Sequence, residues 1–269
     1  MKEALLATMV ALTLSVCAGV GYADDLSIHN VQYTTDPSGD SPYNLETHNV
    51  FGGVVTHIWF GGKPRVYLQD PDHPTWGGIM VKDWTEHHDL ASTVSIGDRV
   101  DLSTVYIEEA SDRNTVLQFG TPWEPGSTFN VVSSGNPVPD PIALTAADIP
   151  IPVDHASSEP YESMAVILEE VEVGLLGQGR KGDNYQLLQG SDIAWATDYQ
   201  NADAGGPYHD YIYSGAQLDS ITGIVEQGFQ ETPAWDYYQL VTRSSDDIVP
   251  EPASLVLLVA ATALTRRRR

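Results

Sequence analysis

"DRVDLSTVYIEE", residues 98–109, sets apolar and polar side chains at alternate positions. A period of two places Val100, Leu102, Thr104 and Tyr106 on one face of a strand. It places Asp101, Ser103, Val105 and Ile107 on the other, the pattern of a half-buried, curved strand. A helix would need apolar residues every three to four positions, and the chain between its two ends sustains almost no such period. Outward from this stretch lie NVFGGVVTHIWF (49–60), PRVYLQD (64–70), GGIMVKDW (77–84) and NTVLQFG (114–120), short apolar runs bounded by Gly, Pro, Asn and Asp. Together they predict five strands.

A comparable set follows: SMAVILEEVEV (163–173), NYQLLQG (184–190), DIAWATDY (192–199), LDSITGIVEQGF (218–229) and YYQLVTR (237–243). RVYLQD answers to NYQLLQG, GGIMVKDW to DIAWATDY and DLSTVYIEE to DSITGIVEQ, each about 115 to 120 residues later, which marks an internal duplication. The Pro-rich stretch between, SSGNPVPDPIALTAADIPIP (133–152), reads as a linker in which Thr145 to Asp148 can cap one helical turn. The fold expected is all-β, two tandem five-stranded barrels. Its parts are a signal peptide (1–23), domain one (24–132), a linker (133–160), domain two (161–248) and a terminal sorting segment (249–269).

The two ends carry their own signals. Lys2, an apolar run from Ala4 to Val20 and the small-x-small sequence Gly21-Tyr22-Ala23 form a secretory signal peptide with cleavage after Ala23. An uncut anchor and lipidation at Cys17, in LSVC, are the alternatives. Cys17 is the single cysteine, so no disulfide and no cysteine metal cluster is available to the folded part. At the other end Val249-Pro250-Glu251-Pro252 precedes an apolar segment from Ala253 to Thr265 and then Arg266, Arg267, Arg268 and Arg269. That segment is shorter than the roughly 20 residues that span a bilayer, but arginines that snorkel to the cytoplasmic side suit a short transmembrane helix.

Thirteen Lys and Arg stand against thirty-seven Asp and Glu, a formal net charge of −24. Without residues 1–23 and 253–269 the balance is eight against thirty-six, a net near −28. Such a chain repels phosphate backbones at long range, so nucleic acid is expected to be a poor partner. GxSxG, Walker and dinucleotide-binding patterns are missing from the sequence, as is HExxH. His87 and His88 in TEHHD are neighbours whose side chains point apart, which does not make a zinc site.

Two resemblances add to this reading. The terminal turn, apolar span and arginine stop resemble the PEP-CTERM sorting signal of Gram-negative bacteria. That resemblance implies recognition by an exosortase, transient membrane anchoring through the C-terminal helix, and delivery to the cell surface or extracellular matrix. The body is similar to the OB-like modules that accompany secreted bacterial endonucleases, on Gly53, Val54, Tyr67, Leu68, Gln69, Asp70, Gly97, Asp98 and Val100. PYESMAVILEEVEV (160–173) and LDSITGIVE (218–226) carry the match in the second copy.

OB barrels bind on the face of their second and third strands and through adjoining loops. Tyr67, Trp76 and Trp84 in the first copy and Tyr185, Trp195 and Tyr199 in the second are therefore candidates for stacking on a ligand, with sugar or peptide expected before DNA. Acidic loops, above all Asp70 and Asp72, offer oxygen ligands for a structural calcium ion, although none has EF-hand spacing. The function expected is a noncatalytic secreted binding or structural protein. A nuclease-associated accessory or metal-dependent hydrolase, and a glycan-binding module, are the alternatives.

Overall fold

A computed structural model of the chain describes residues 25–252 apart from 112, 179–182 and 231–234. The segment read as a signal peptide, with Cys17, the apolar tail and Arg266 to Arg269 lie outside the described residues, within which no helix is long and apolar enough to cross a membrane. Strands β1 (Asp25–Ser27), β2 (Thr47–Trp59), β3 (Arg65–Gln69), β4 (Gly78–Asp83), β5 (Arg99–Glu109), β6 (Thr115–Phe119) and β7 (Thr128–Ser133) form the first sheet. Its order runs β2-β3-β4-β6-β5, and β5 pairs back onto β2, so five strands close a barrel. The only parallel contact in the ring is β4 with β6. Helix α1 (Ile28–Gln32) places Ile28 and Val31 in the barrel core, and α2 (Asp89–Thr93) adds Leu90 and Ala91. Both helices are short because each serves as a plug.

The quoted strand does not alternate as its pattern suggests. Val100 and Leu102 are buried, but then Val105 and Ile107 are, and Thr104 and Tyr106 are not. Thr104 sits at φ 56° and the pairing slips between His48↔Val105 and Val50↔Leu102, so a bulge inserts one residue and reverses the face. A second bulge lies opposite, in β2, where Gly52 adopts φ 86° and donates its N–H to Asp101 Oδ1 at 3.0 Å. Next to it, Gly53 has to lack a side chain: a Cβ there would come within 2.8 Å of Ile28 and Leu68.

The second sheet contains β8 (Ile142–Leu144), β9 (Ala165–Val173), β10 (Asn184–Gln189), β11 (Asp192–Thr197), β12 (Gln217–Gln230), β13 (Trp235–Val241) and β14 (Ile248–Pro250). Its ring, β9-β10-β11-β13-β12, closes through β12 and β9 and again has one parallel contact, β11 with β13. The registers agree as well. Tyr67 faces Met80 and Met80 faces Val116; in the second ring Gln186 faces Trp195 and Trp195 faces Gln239. Part of the stretch read as linker belongs to this unit, since β8 pairs with β9 and α3 (His155–Ser158) lies beyond it. Thr145 to Asp148 forms a turn, tied by Thr145 N–H and hydroxyl to Asp148 Oδ2 at 2.7 Å each.

The barrels pack on each other through the outer face of β3, β4 and β6. Tyr67, Met80 and Val116 point away from the first core and meet Ile224 of β12, all buried. Each such side chain contributes about 1.5–3 kcal/mol by leaving water. Polar contacts fix the register of the seam. Asn114 donates to the Gln227 carbonyl at 2.7 Å and accepts from its N–H at 2.8 Å, as a neighbouring strand would. Glu226 accepts from Arg65 at 3.0 Å, Gln200 at 3.0 Å, Tyr199 at 2.6 Å and Tyr67.

Candidate ligand-binding groove

Along the outer face of β3, β4 and β6, one register row is covered in the seam and the next lines a groove. That next row is Arg65, Lys82 and Gln118, paired across the three strands. The β2–β3 loop, residues 60–64, rises at one side, and the turn after β5, with Ala110 and Ser111, lies at the other. These walls enclose a groove of about 450 Å³ lined by Trp59, Lys63, Arg65, Lys82, Trp84 and Gln118, with Glu108 at its rim. In an OB barrel these strands and these two loops are where ligands dock.

The aromatic rings are held in place. Trp84 donates its indole N–H to Gln118 Oε1, while Gln118 donates to Glu108 at 2.7 Å. The Lys63 ammonium lies 4.7 Å over the Trp84 ring, and Trp123 tilts against Trp84 at 6.1 Å. Arg65 lies over Trp59 at 5.1 Å, and Trp59 meets Tyr199 edge-on at 5.4 Å. Trp123, which packs on Trp84, is 59% exposed, and Phe60, which precedes the Gly61-Gly62 loop, is 64% exposed. A ring already held by its neighbours loses little entropy on stacking.

Electrostatics at the groove differ from those of the whole chain. Lys63, Arg65, Lys82, Arg99, Arg113 and Arg243 are the Lys and Arg among the described residues, and the first three line this one site. Burial by itself would lower the Arg65 pKa, but the Glu226 carboxylate against it raises it well above the ordinary value, so Arg65 stays charged. Tyr67 and Tyr199 are pushed up by burial first and then by Glu226, so both remain phenols that donate.

Of the candidates read from sequence, Trp84 lies in the groove and Tyr199 borders it through Trp59. Tyr67 is buried in the seam. Tyr185 belongs to the second core and donates to Asp198 at 2.7 Å. Trp195 is buried beside Tyr237. Trp76 sits apart, half-buried at φ 60°, with its N–H on the Pro160 carbonyl at 2.6 Å and its ring against Tyr33. Asp70 accepts from His73 at 2.9 Å and from the Asp72 N–H at 3.0 Å, which occupies both oxygens within its own turn; Asp72 is exposed. Among the described residues no group of three or more His, Cys, Asp and Glu is arranged to hold a metal ion. Val249 and Pro250 of the sorting motif lie in β14, and the Glu251 N–H reaches the Gln217 carbonyl at 3.0 Å; Pro252 follows.

Trp59, Phe60, Lys63, Arg65, Lys82 and Trp123 were not among the sequence candidates. WFGGKPR, residues 59–65, is the signal that points to most of them, an aromatic pair and two cations flanking a Gly-Gly loop between two strands.

No protein-family model and no curated protein matches the chain. Solved structures similar to it include the single-stranded-DNA complex of Schizosaccharomyces pombe Pot1pC, at 15% identity over 35% of this chain and 84% of that one, TM-score 0.28. A Replication Protein A heterotrimer bound to single-stranded DNA is similar at 7% identity over 90% and 72%, TM-score 0.28. The Ifi202 HINa domain in complex with double-stranded DNA is similar at 9% identity over 74% and 92%, TM-score 0.31. The expectation that sets nucleic acid aside does not hold. The physical premise of the exclusion fails at the groove, where Lys63, Arg65 and Lys82 gather beside Trp59 and Trp84. Net charge describes the far field; within a Debye length of about 8–10 Å at physiological salt, the local cations dominate.

Proposed function

We propose that the protein is a noncatalytic binding protein whose first barrel takes single-stranded nucleic acid in the groove between the β2–β3 loop and the turn after β5. The observation that supports this reading is the convergence of Trp59 and Trp84, with Trp123 packed on Trp84, and of Lys63, Arg65 and Lys82 at one groove. Bases stack on indoles without regard to sequence, and ammonium groups beside the rings meet the backbone between bases. Arg65 is paired with Glu226, and the Lys63 and Lys82 side chains line the same groove as candidates for phosphate contacts. The ends of the chain support export and sorting: a signal peptide at residues 1–23, and Val249 to Pro252 ahead of an apolar segment and Arg266 to Arg269, as in PEP-CTERM proteins. The ligand is then nucleic acid outside the cytoplasm, at the cell surface or in the matrix.

Titration of tryptophan fluorescence with a short oligothymidylate tests this. The reading expects quenching with an affinity on the order of 10–100 µM, and a salt slope near −1.4 above about 100 mM, roughly 0.7 for each lysine. Trp84→Ala is expected to weaken binding by about 1–3 kcal/mol, and Lys63→Ala to halve the slope. Quenching by a neutral oligosaccharide in place of the oligonucleotide, with no salt dependence, would replace nucleic acid by a glycan.

A further inference from the structure

The segment between α3 and β9 wedges into the seam and brings carboxylates with it. Glu162 is 2% exposed, and its Oε1 accepts the Thr115 N–H of the first barrel at 2.9 Å. The Thr115 hydroxyl donates to Glu109 Oε1 at 2.8 Å, where the Ser41 N–H also donates at 2.8 Å. Glu159 lies against the backbone of Gly39 on one side and accepts the Tyr238 hydroxyl on the other. Three carboxyl groups thus share one buried region spanning both barrels.

The surroundings supply little positive charge. Asp40 faces Glu109 and Glu159, and Asp236 faces Glu159 and Tyr238. Arg113 is engaged with Asp236 at 3.1 Å, and His155 lies between Tyr238 at 3.0 Å and Asp236 at 3.5 Å. Glu162 Oε2 and Gln32 Oε1 are both buried without a hydrogen-bond partner, although the two side chains face each other. Glu162 thus sits in the seam with one carboxyl oxygen unsatisfied and out of water, which disfavours its charged form.

We propose that this cluster is a proton-binding site that latches the barrels together: Glu162, Glu159 and Glu109 dock in their neutral forms, and their ionisation loosens the seam. Burial is the leading cause that pushes Glu109 up to about 7 and Glu159 up to about 8, and it raises Glu162 as well, with neighbouring carboxylates adding to the effect on all three. The sign follows from linkage. Carboxyls with raised values in the docked state hold the seam fully below their ordinary range near 4.5, and that contribution is lost as pH rises through 7 to 8. The inference is independent of what the groove binds.

Hydrogen exchange of the full-length protein, corrected for the intrinsic effect of pH and run in 0.5 M salt to screen surface repulsion, reads the latch directly. The amides of Thr115 and Trp76, whose acceptors are Glu162 and Pro160, report the seam; those of Ile79 and Val81 report the first core. Protection of the first pair is expected to fall at least about tenfold between pH 5 and pH 9, with the second pair unchanged. The triple variant E109Q/E159Q/E162Q is expected to show no such fall. Constant protection at Thr115 and Trp76 in the unmodified protein would overturn the latch, whether or not the triple variant folds, and so would an equal fall in the variant.

Discussion

The two barrels share strand order and register, yet equivalent rows on their outer faces carry different chemistry. In the first, Tyr67, Met80 and Val116 form an apolar row that the second barrel covers. At the same positions the second barrel has Gln186, Trp195 and Gln239, of which Gln186 is half-buried. One row further, Arg65, Lys82 and Gln118 line the groove, two of them cations, while their counterparts Asn184, Thr197 and Val241 are uncharged and buried. A duplicated scaffold has therefore been divided into a barrel that presents an aromatic and cationic groove, the proposed ligand face, and a barrel that braces it. Function here follows from which side chains occupy two rungs, not from the fold they share.

The largest expected effect breaks the brace at its charged point. Arg65→Met leaves Glu226, 3% exposed, without its cation in the seam, and should cost about 3–5 kcal/mol in urea unfolding. Loss within the range of a surface substitution would mean that the ion pair does not hold the barrels. Next in size, Met80→Ala removes a fully buried seam side chain and is expected to cost about 2–4 kcal/mol, whereas Gln186→Ala, at the equivalent rung of the second barrel, should change stability by about 0.5 kcal/mol or less. Equal effects at the two rungs would erase the distinction between brace and ligand face.

Much of this architecture is written in local pattern. Strand runs, the offset between copies and the closed five-stranded ring follow from alternation and turn residues alone. The face of a strand beyond a bulge does not: Thr104 at φ 56° reverses the alternation of residues 98–109, and nothing in its immediate neighbours announces that geometry. The seam is harder still, because Tyr67 reads as an exposed stacking residue until Glu226 and Ile224, more than 150 positions away, cover it. Trp84, just past the third strand of the barrel, was legible as a residue of the groove. Lys63, Arg65 and Lys82 were obscured by the total charge, which averages over a surface where the relevant field is local.

Backbone amide shift mapping during an oligothymidylate titration bears most directly on the division of labour. The account predicts perturbations confined to residues 59–65, 82–84, 108–111, 118 and 123, with β10, β11 and β13 silent. Shifts centred on the second barrel, or spread over both without preference for the groove, would contradict it.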